Sequence, residues 1–367
     1  MYKKIHPLIR ILIILMPFWF VWFYISVAGW YYLADDYAKE MFIHSATHSK
    51  TEQKYNVLIL GDSMANAAYL PELLSEDTLN LSITGGTCIE SYYILKNYIK
   101  ENGAPTTVFY SPGHNVYYDD TYIESHFFYH QFGLPEAVEI SHILKNSKDD
   151  PEMYANYHPM EWFKCIFHAP TTYVPALLNG EFYHRHGENL AMLDVLKTHR
   201  GNWLALRIES TVVQEDKTYL DEFKVLDFND YYFDAFCKLC SDNGIKLHLR
   251  RTPYSSNFVF SEQFKKDFTN YYQSYADKYK NIDVDLDFNT IDDKLMYDNG
   301  HVNLRGAMYY STMIKNKYPD AFDDTLPVSA DTIKALTYDY NLEIDEPYRS
   351  QWNKILTDRK ARFERGE

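Results

Sequence analysis

The sequence predicts a three-layer α/β/α fold around a mostly parallel sheet, with an apolar helix ahead of it and a large insertion within it. Two observations lead there. Short apolar runs rich in Val, Ile, Leu, Phe and Tyr alternate with segments of helical periodicity between residues 55 and 320. The alternation fails only between 119 and 222, a stretch dense in aromatic and histidine residues such as Phe127, Phe128, Tyr129, His130, Trp162 and Tyr183. Strands alternating with helices imply a parallel sheet covered on both faces.

The elements follow in order. Asn56 to Leu60 reads as a buried strand, followed by the turn Gly61-Asp62-Ser63 and a short helix at Leu70 to Leu74. Leu79 to Ile83 is a second strand, ending in Gly85-Gly86. Glu90 to Glu101 sets Ile94, Leu95, Tyr98 and Ile99 on one helical face, with Gly103 as its stop. Thr106 to Tyr110 is a third strand, leading into Ser111-Pro112-Gly113-His114-Asn115. A helix over Tyr231 to Asp242 precedes a fourth strand, Ile245 to Leu249. The fifth, Ile282 to Phe288, runs toward Asp298-Asn299-Gly300-His301 and a helix start at Leu304. Asp283, Asp285 and Asp287 imitate the opening of a calcium loop. Phe288 stands where that loop needs glycine, however, and the alternation with Ile282, Val284 and Leu286 favours a strand.

Residues Ile11 to Leu33 contain no charge, and 23 residues at about 1.5 Å each suffice to cross a hydrocarbon core of roughly 30 Å. Lys3, Lys4 and Arg10 precede the run and Asp35 and Asp36 follow it, so the N-terminus is expected in the cytoplasm and the rest outside. The run is too long and aromatic for a cleaved signal core and no A-x-A site follows, which predicts an uncleaved single-pass anchor in the cell membrane. The expected organisation is an anchor at 1–34, a juxtamembrane linker at 35–54, a main domain at 55–320 holding the 119–222 insertion, and a tail at 321–367 that turns helical near Tyr348 to Arg362. The insertion is either a lid or substrate platform, or an ordinary structural subdomain.

Composition narrows the classes. Across 367 residues the formal net charge is -15, with no basic stripe beyond the first ten residues, which argues against a nucleic-acid partner. Of the four cysteines, Cys88, Cys165, Cys237 and Cys240, the last two have C-x-x-C spacing but lie inside a predicted helix, with no second pair to complete a zinc site. They read as packed thiols, and no metal is expected.

Ser63, Gly85, Asn115 and His301 all follow predicted strand ends, the edge where parallel sheets bind ligands. Ser, His and Asp together turn a weak hydroxyl into a nucleophile, because His removes its proton and Asp fixes the imidazole tautomer. Each residue also has a plainer reading: Ser63 as a helix cap, Gly85 and Asn115 as turn residues, His301 as a surface histidine. Asp62 reads as structural. Arg250 and Arg251, after the fourth strand, are candidates to meet an anionic substrate.

The motifs taken together resemble the SGNH, or GDSL-type, hydrolase superfamily over residues 55 to 320. Gly61-Asp62-Ser63 matches its first block, and Asn80 with Gly85 its Asn-x-x-x-x-Gly block. Gly113-His114-Asn115 matches Gly-x-Asn, and Asp298, His301, Asn303 and Gly306 match the last block. The insertion departs from compact members. The resemblance implies a flavodoxin-like sheet, with Ser63 as nucleophile, His301 as general base and then acid, and Asp298 as orienting carboxylate. It also implies an oxyanion hole from the Ser63 and Gly85 backbone N–H groups and the Asn115 side chain. No G-x-S-x-G surrounds Ser63, so an ordinary α/β-hydrolase elbow is not supported.

The anchored layout is similar to that of the D-alanyl transfer protein of teichoic-acid decoration and of alginate-type O-acetyltransferase accessory proteins. That likeness implies an extracytoplasmic esterase or acyltransferase acting on acyl esters of a bacterial cell-envelope glycan or teichoic-acid-like polymer. It would work beside a multi-spanning membrane O-acyltransferase and need no cofactor. A non-catalytic scaffold subunit of such a system and a membrane-anchored lipid esterase are the alternatives.

Overall fold

The computed structural model describes residues 6–28, 37–113, 131–149, 210–212, 217–288 and 290–322, together with 190, 192–194, 196, 197 and 199–202. Along the chain run α1 (Pro7–Ala28), α2 (Tyr37–His48), β1 (Val57–Gly61), α3 (Ser63–Ala68), α4 (Pro71–Leu74), β2 (Thr78–Asn80), α5 (Cys88–Asn102) and β3 (Thr107–Ser111). Then follow α6 (Leu134–Asn146), β4 (Thr218–Leu220), α7 (Asp227–Asp242), β5 (Lys246–Arg250), β6 (Phe258–Phe260), α8 (Glu262–Lys278), β7 (Ile282–Asp285) and α9 (Leu304–Lys317).

Five strands form one sheet in the order β2-β1-β3-β5-β7, every neighbouring pair parallel. All five residues of β1 and all five of β3 are buried, as apolar runs covered on both faces must be. Helix α5 packs against α2 and α7, while α9 packs against α3 and α4; two such groups are consistent with a helical layer on each face of the sheet. The strand order changes direction between β1 and β3, which puts the crevice of such a sheet beyond their carboxyl ends.

The five expected strands all occur, with shifted ends. β2 stops at Asn80, although Leu81 and Ile83 still donate to the Ile59 and Gly61 carbonyls at 2.9 and 3.0 Å. β7 stops at Asp285, where Asp283 and Asp285 pair with Arg250 and Lys317 across the sheet edge. Helix α5 starts two residues before its expected start, because Thr87 and Glu90 form a reciprocal capping box: Ile89 N–H donates to Thr87 Oγ1 at 3.1 Å and Thr87 N–H to Glu90 Oε2 at 2.6 Å.

Two features differ from the sequence reading. Residues 37–48 of the expected linker form α2, whose Ala38, Phe42, Ile43 and Ala46 are buried in the common core; their spacing is helical, but it falls directly after a longer apolar run that masks it. Residues 218–220, inside the expected insertion, make the two-stranded parallel sheet β4–β6. Most of that insertion, Cys165 and the tail from 323 lie outside the described residues. Among the described residues no helix is long and apolar enough to cross a membrane, and residues 29–33 of the expected span lie outside them.

Candidate active site

The site begins with the end of β1. Gly61 has φ +143°, a backbone region closed to side chains, and a Cβ there would stand 2.7 Å from the Ser111 carbonyl oxygen of the paired strand. Glycine therefore lets the chain turn sharply out of the sheet and into α3. Asp62 caps that helix, its Oδ1 accepting from the Met64 and Ala65 N–H groups at 2.9 and 3.2 Å. The capping role that Ser63 might have filled thus falls to its neighbour. Ser63 is left as the first helical residue, partly exposed, with its hydroxyl free of that duty.

The partner comes from far along the chain. His301 Nε2 lies 2.8 Å from Ser63 Oγ, and His301 Nδ1 lies 2.9 Å from both carboxylate oxygens of Asp298. The carboxylate assigns the ring proton to Nδ1, which leaves Nε2 to accept the serine hydroxyl proton. Asp298 Oδ1 also accepts from the Gly300 and His301 N–H groups at 2.9 and 2.7 Å. Burial pushes the Asp298 carboxyl up, but these bonds and the imidazole more than reverse it, so the group is held below its ordinary value. Side-chain exposures of 29 % for His301 and 39 % for Asp298 leave the pair open to a ligand.

The remaining residues of the motif hold this pair in place. Asn303 caps α9 by accepting from Gly306 N–H at 3.1 Å, and its amide donates to the carbonyls of Lys294 and Met296 at 2.8 and 3.3 Å. A Cβ at Gly306 would sit 2.1 Å from the Leu295 carbonyl oxygen, so only glycine lets that segment approach. Asn80 is likewise internal: its Oδ1 accepts from Ser82 N–H at 3.1 Å and its amide donates to the Tyr69 carbonyl at 3.2 Å. Asn299 accepts from the Asn257 amide at 2.9 Å and, through its backbone oxygen, from Ser255 N–H at 3.1 Å, which ties the loop to the segment after β5.

The residues expected to form an oxyanion hole divide. Gly85 has φ +63° and sits in the turn after β2, and a Cβ on its neighbour Gly86 would stand 2.7 Å from the Gly61 carbonyl oxygen. The turn therefore rests against the β1 exit that presents Ser63. Asn115 and His114 lie outside the described residues.

Arg250 and Arg251, at the end of β5, are buried and partnered within the protein. Arg250, 2 % exposed, is ion-paired with Asp283 and stacks over Tyr318 at 4.3 Å. Arg251, 5 % exposed, lies 4.0 to 4.7 Å from the ring centroids of Phe288, Phe260 and Tyr254. Both are core cations, held by Asp283 and by aromatic rings. Cys88, Cys237 and Cys240 are buried free thiols, with burial raising each above its ordinary value.

The structural reading of Asp62 agrees with its place as the cap of α3; what the sequence reading missed are the buried polar contacts that hold α3 from behind. An Asp-Ser following a strand is a helix-start signal and points to the cap. No protein-family model matches the chain, and no curated protein or solved structure does either.

Proposed function

We propose that this chain is an SGNH-type serine esterase or O-acyltransferase, anchored in the cell membrane and acting outside it on acyl esters of a cell-envelope glycan. One observation carries the reading: the hydrogen-bonded line from Ser63 Oγ through His301 to Asp298, at the end of a buried strand. In this reaction Ser63 Oγ attacks the ester carbonyl while His301 Nε2 takes its proton. Asp298 holds the imidazolium that forms. The tetrahedral oxyanion is received by the Ser63 and Gly85 N–H groups and, by the sequence assignment, the Asn115 amide. Collapse releases the alcohol, which leaves with the proton from His301, and an acyl-serine remains. Water or an acceptor hydroxyl then gives its proton to His301 and attacks the acyl group. The bond from the acyl carbon to Oγ breaks, Oγ takes that proton from His301, and the acid or the new ester leaves.

The anchor is supported by the uncharged run in the sequence and by α1 itself. Its Ile9, Ile11 through Met16 and Phe18 through Val21 are exposed to 40 % or more, positions that together cover every side of a helix. A helix apolar all round suits a lipid surface. A multi-spanning acyltransferase is the partner expected to supply the acyl group.

The test treats the full-length chain in detergent with a fluorophosphonate beside a Ser63→Ala control. Labelling confined to Ser63 is the expected result. Equal labelling of the two proteins would sink the reading and favour a scaffold subunit.

A further inference from the structure

We infer that Ser311 is a positioning residue that sets the separation of Ser63 and His301 by bridging the helices that present them. Helix α3 begins at Ser63, and α9 begins three residues after His301. Ser311 lies two turns into α9, fully buried. Its hydroxyl donates to the Ala68 carbonyl at 3.0 Å and accepts from Leu70 N–H at 2.8 Å. One side chain therefore uses its donor and an acceptor lone pair on the two sides of the same helix end.

The location matters because a helix end leaves carbonyls without intrahelical partners. Helix α3 has six residues, so its last turn is also close to its first. Its other terminal carbonyls are also met from outside. The Asn202 amide donates to the Asn66 and Tyr69 carbonyls at 2.6 and 2.8 Å, and the Asn80 amide reaches the Tyr69 carbonyl at 3.2 Å. Asn80 and Asn202 fix α3 to the sheet and to the 199–202 turn. Ser311 alone among these three belongs to the element that follows His301. The neighbouring Tyr310 hydroxyl, 3.2 Å from that of Tyr69, runs parallel to the same link. A rigid short helix held at its far end keeps its first residue in register, and about 1 Å of misplacement in a reacting pair can cost roughly 100-fold in rate.

The inference rests on the proposed acyl chemistry only for its kinetic readout. Ser311→Ala is compared with Tyr98→Phe, which removes a hydroxyl with the same two kinds of bond, from Tyr55 N–H and to the Tyr55 carbonyl, both 3.0 Å, on α5 away from the site. Both full-length variants are followed by thermal unfolding, by the saturable and first-order constants of fluorophosphonate labelling, and by the nitrogen shifts of the His301 imidazole. The expected result is a loss of thermal stability in both. Only Ser311→Ala should slow the first-order labelling step, by about 10-fold or more, with the saturation constant unchanged and the His301 Nε2 resonance displaced. Wild-type labelling and an unmoved His301 resonance in Ser311→Ala would overturn the inference and leave Ser311 a packing residue. If the wild type does not label, the acyl-transfer reading fails, and the imidazole shifts alone decide: Ser311→Ala must move them and Tyr98→Phe must not. A Ser311→Ala chain that does not fold is replaced by Ser311→Cys, whose thiol fills the same space but bonds weakly; it should displace the His301 resonance, and an unmoved resonance overturns the inference.

Discussion

Replacing Asp62 by Asn should make the protein more stable at neutral pH and slower in its chemistry. The carboxyl group is 7 % exposed, and burial drives it up from an ordinary 3.8 to about 6, even though the Ala65 and Met64 N–H groups and His301 pull the other way. For an acid whose folded value is raised, the folded state holds the proton more tightly. Its stabilising contribution is complete below pH 3.8 and disappears as pH rises through about 6. A rise from 3.8 to about 6, at about 1.4 kcal/mol for each pH unit, puts the cost of the ionised form near ~3 kcal/mol at pH 8. Asparagine keeps the Oδ1 that caps α3 and has no charge to bury. The variant and the wild type should therefore unfold at similar temperatures at pH 4 and diverge to the variant's advantage by pH 8, by roughly 4 to 5 °C. Fluorophosphonate labelling should slow at the same time, because the ionised Asp62 favours the imidazolium that forms on His301. Parallel unfolding curves for the two proteins from pH 4 to pH 8 would refute the reasoning, since they would mean that Asp62 bears no buried charge.

Three further outcomes are expected. Asp298→Asn should lower the labelling rate by about 10,000-fold, because an amide no longer holds the ring proton on Nδ1; labelling kinetics against pH will check it. In the wild type the depressed Asp298 carboxyl keeps its share of stability above pH 3.8 and loses it only as pH falls through its lower folded value. Gly306→Ala should destabilise by about 1 to 3 kcal/mol or more through overpacking against the Leu295 carbonyl, read as a fall in unfolding temperature.

Much of this arrangement was legible because two periodicities and one spacing carry it. Val57-Leu58-Ile59-Leu60 admits little besides a buried strand, and a strand ending in Gly-Asp-Ser has its hydroxyl at the sheet edge. Asp298 and His301 are near enough in sequence for their pairing to be local. What joins Ser63 to His301 is tertiary, and was readable only by analogy of motif. Other features gave no local signal. Lys39 is 2 % exposed and donates to the Asn80 and Gly201 carbonyls at 3.0 and 2.5 Å, yet a lysine in a mixed 12-residue segment reads as solvated. Arg250 and Arg251 carry charge at a strand end, where the sequence suggests a ligand. Their partners, Asp283 and a group of aromatic rings, come from strands and helices that only the fold brings near. Ser311 is one small residue among apolar helix positions and announces nothing.

The reach between Ser63 and His301 has a consequence for how the protein matures. The pair closes a loop of 238 residues, and the helix that docks behind His301 comes after every strand of the main sheet. A chain emerging from the ribosome carries its serine early but gains the base only once almost the whole domain has been made. Until then Ser63 is an ordinary alcohol. On the proposed acyl chemistry, reactivity is a late event of folding, and a product cut short before residue 301 would be chemically silent however well its first strands had paired.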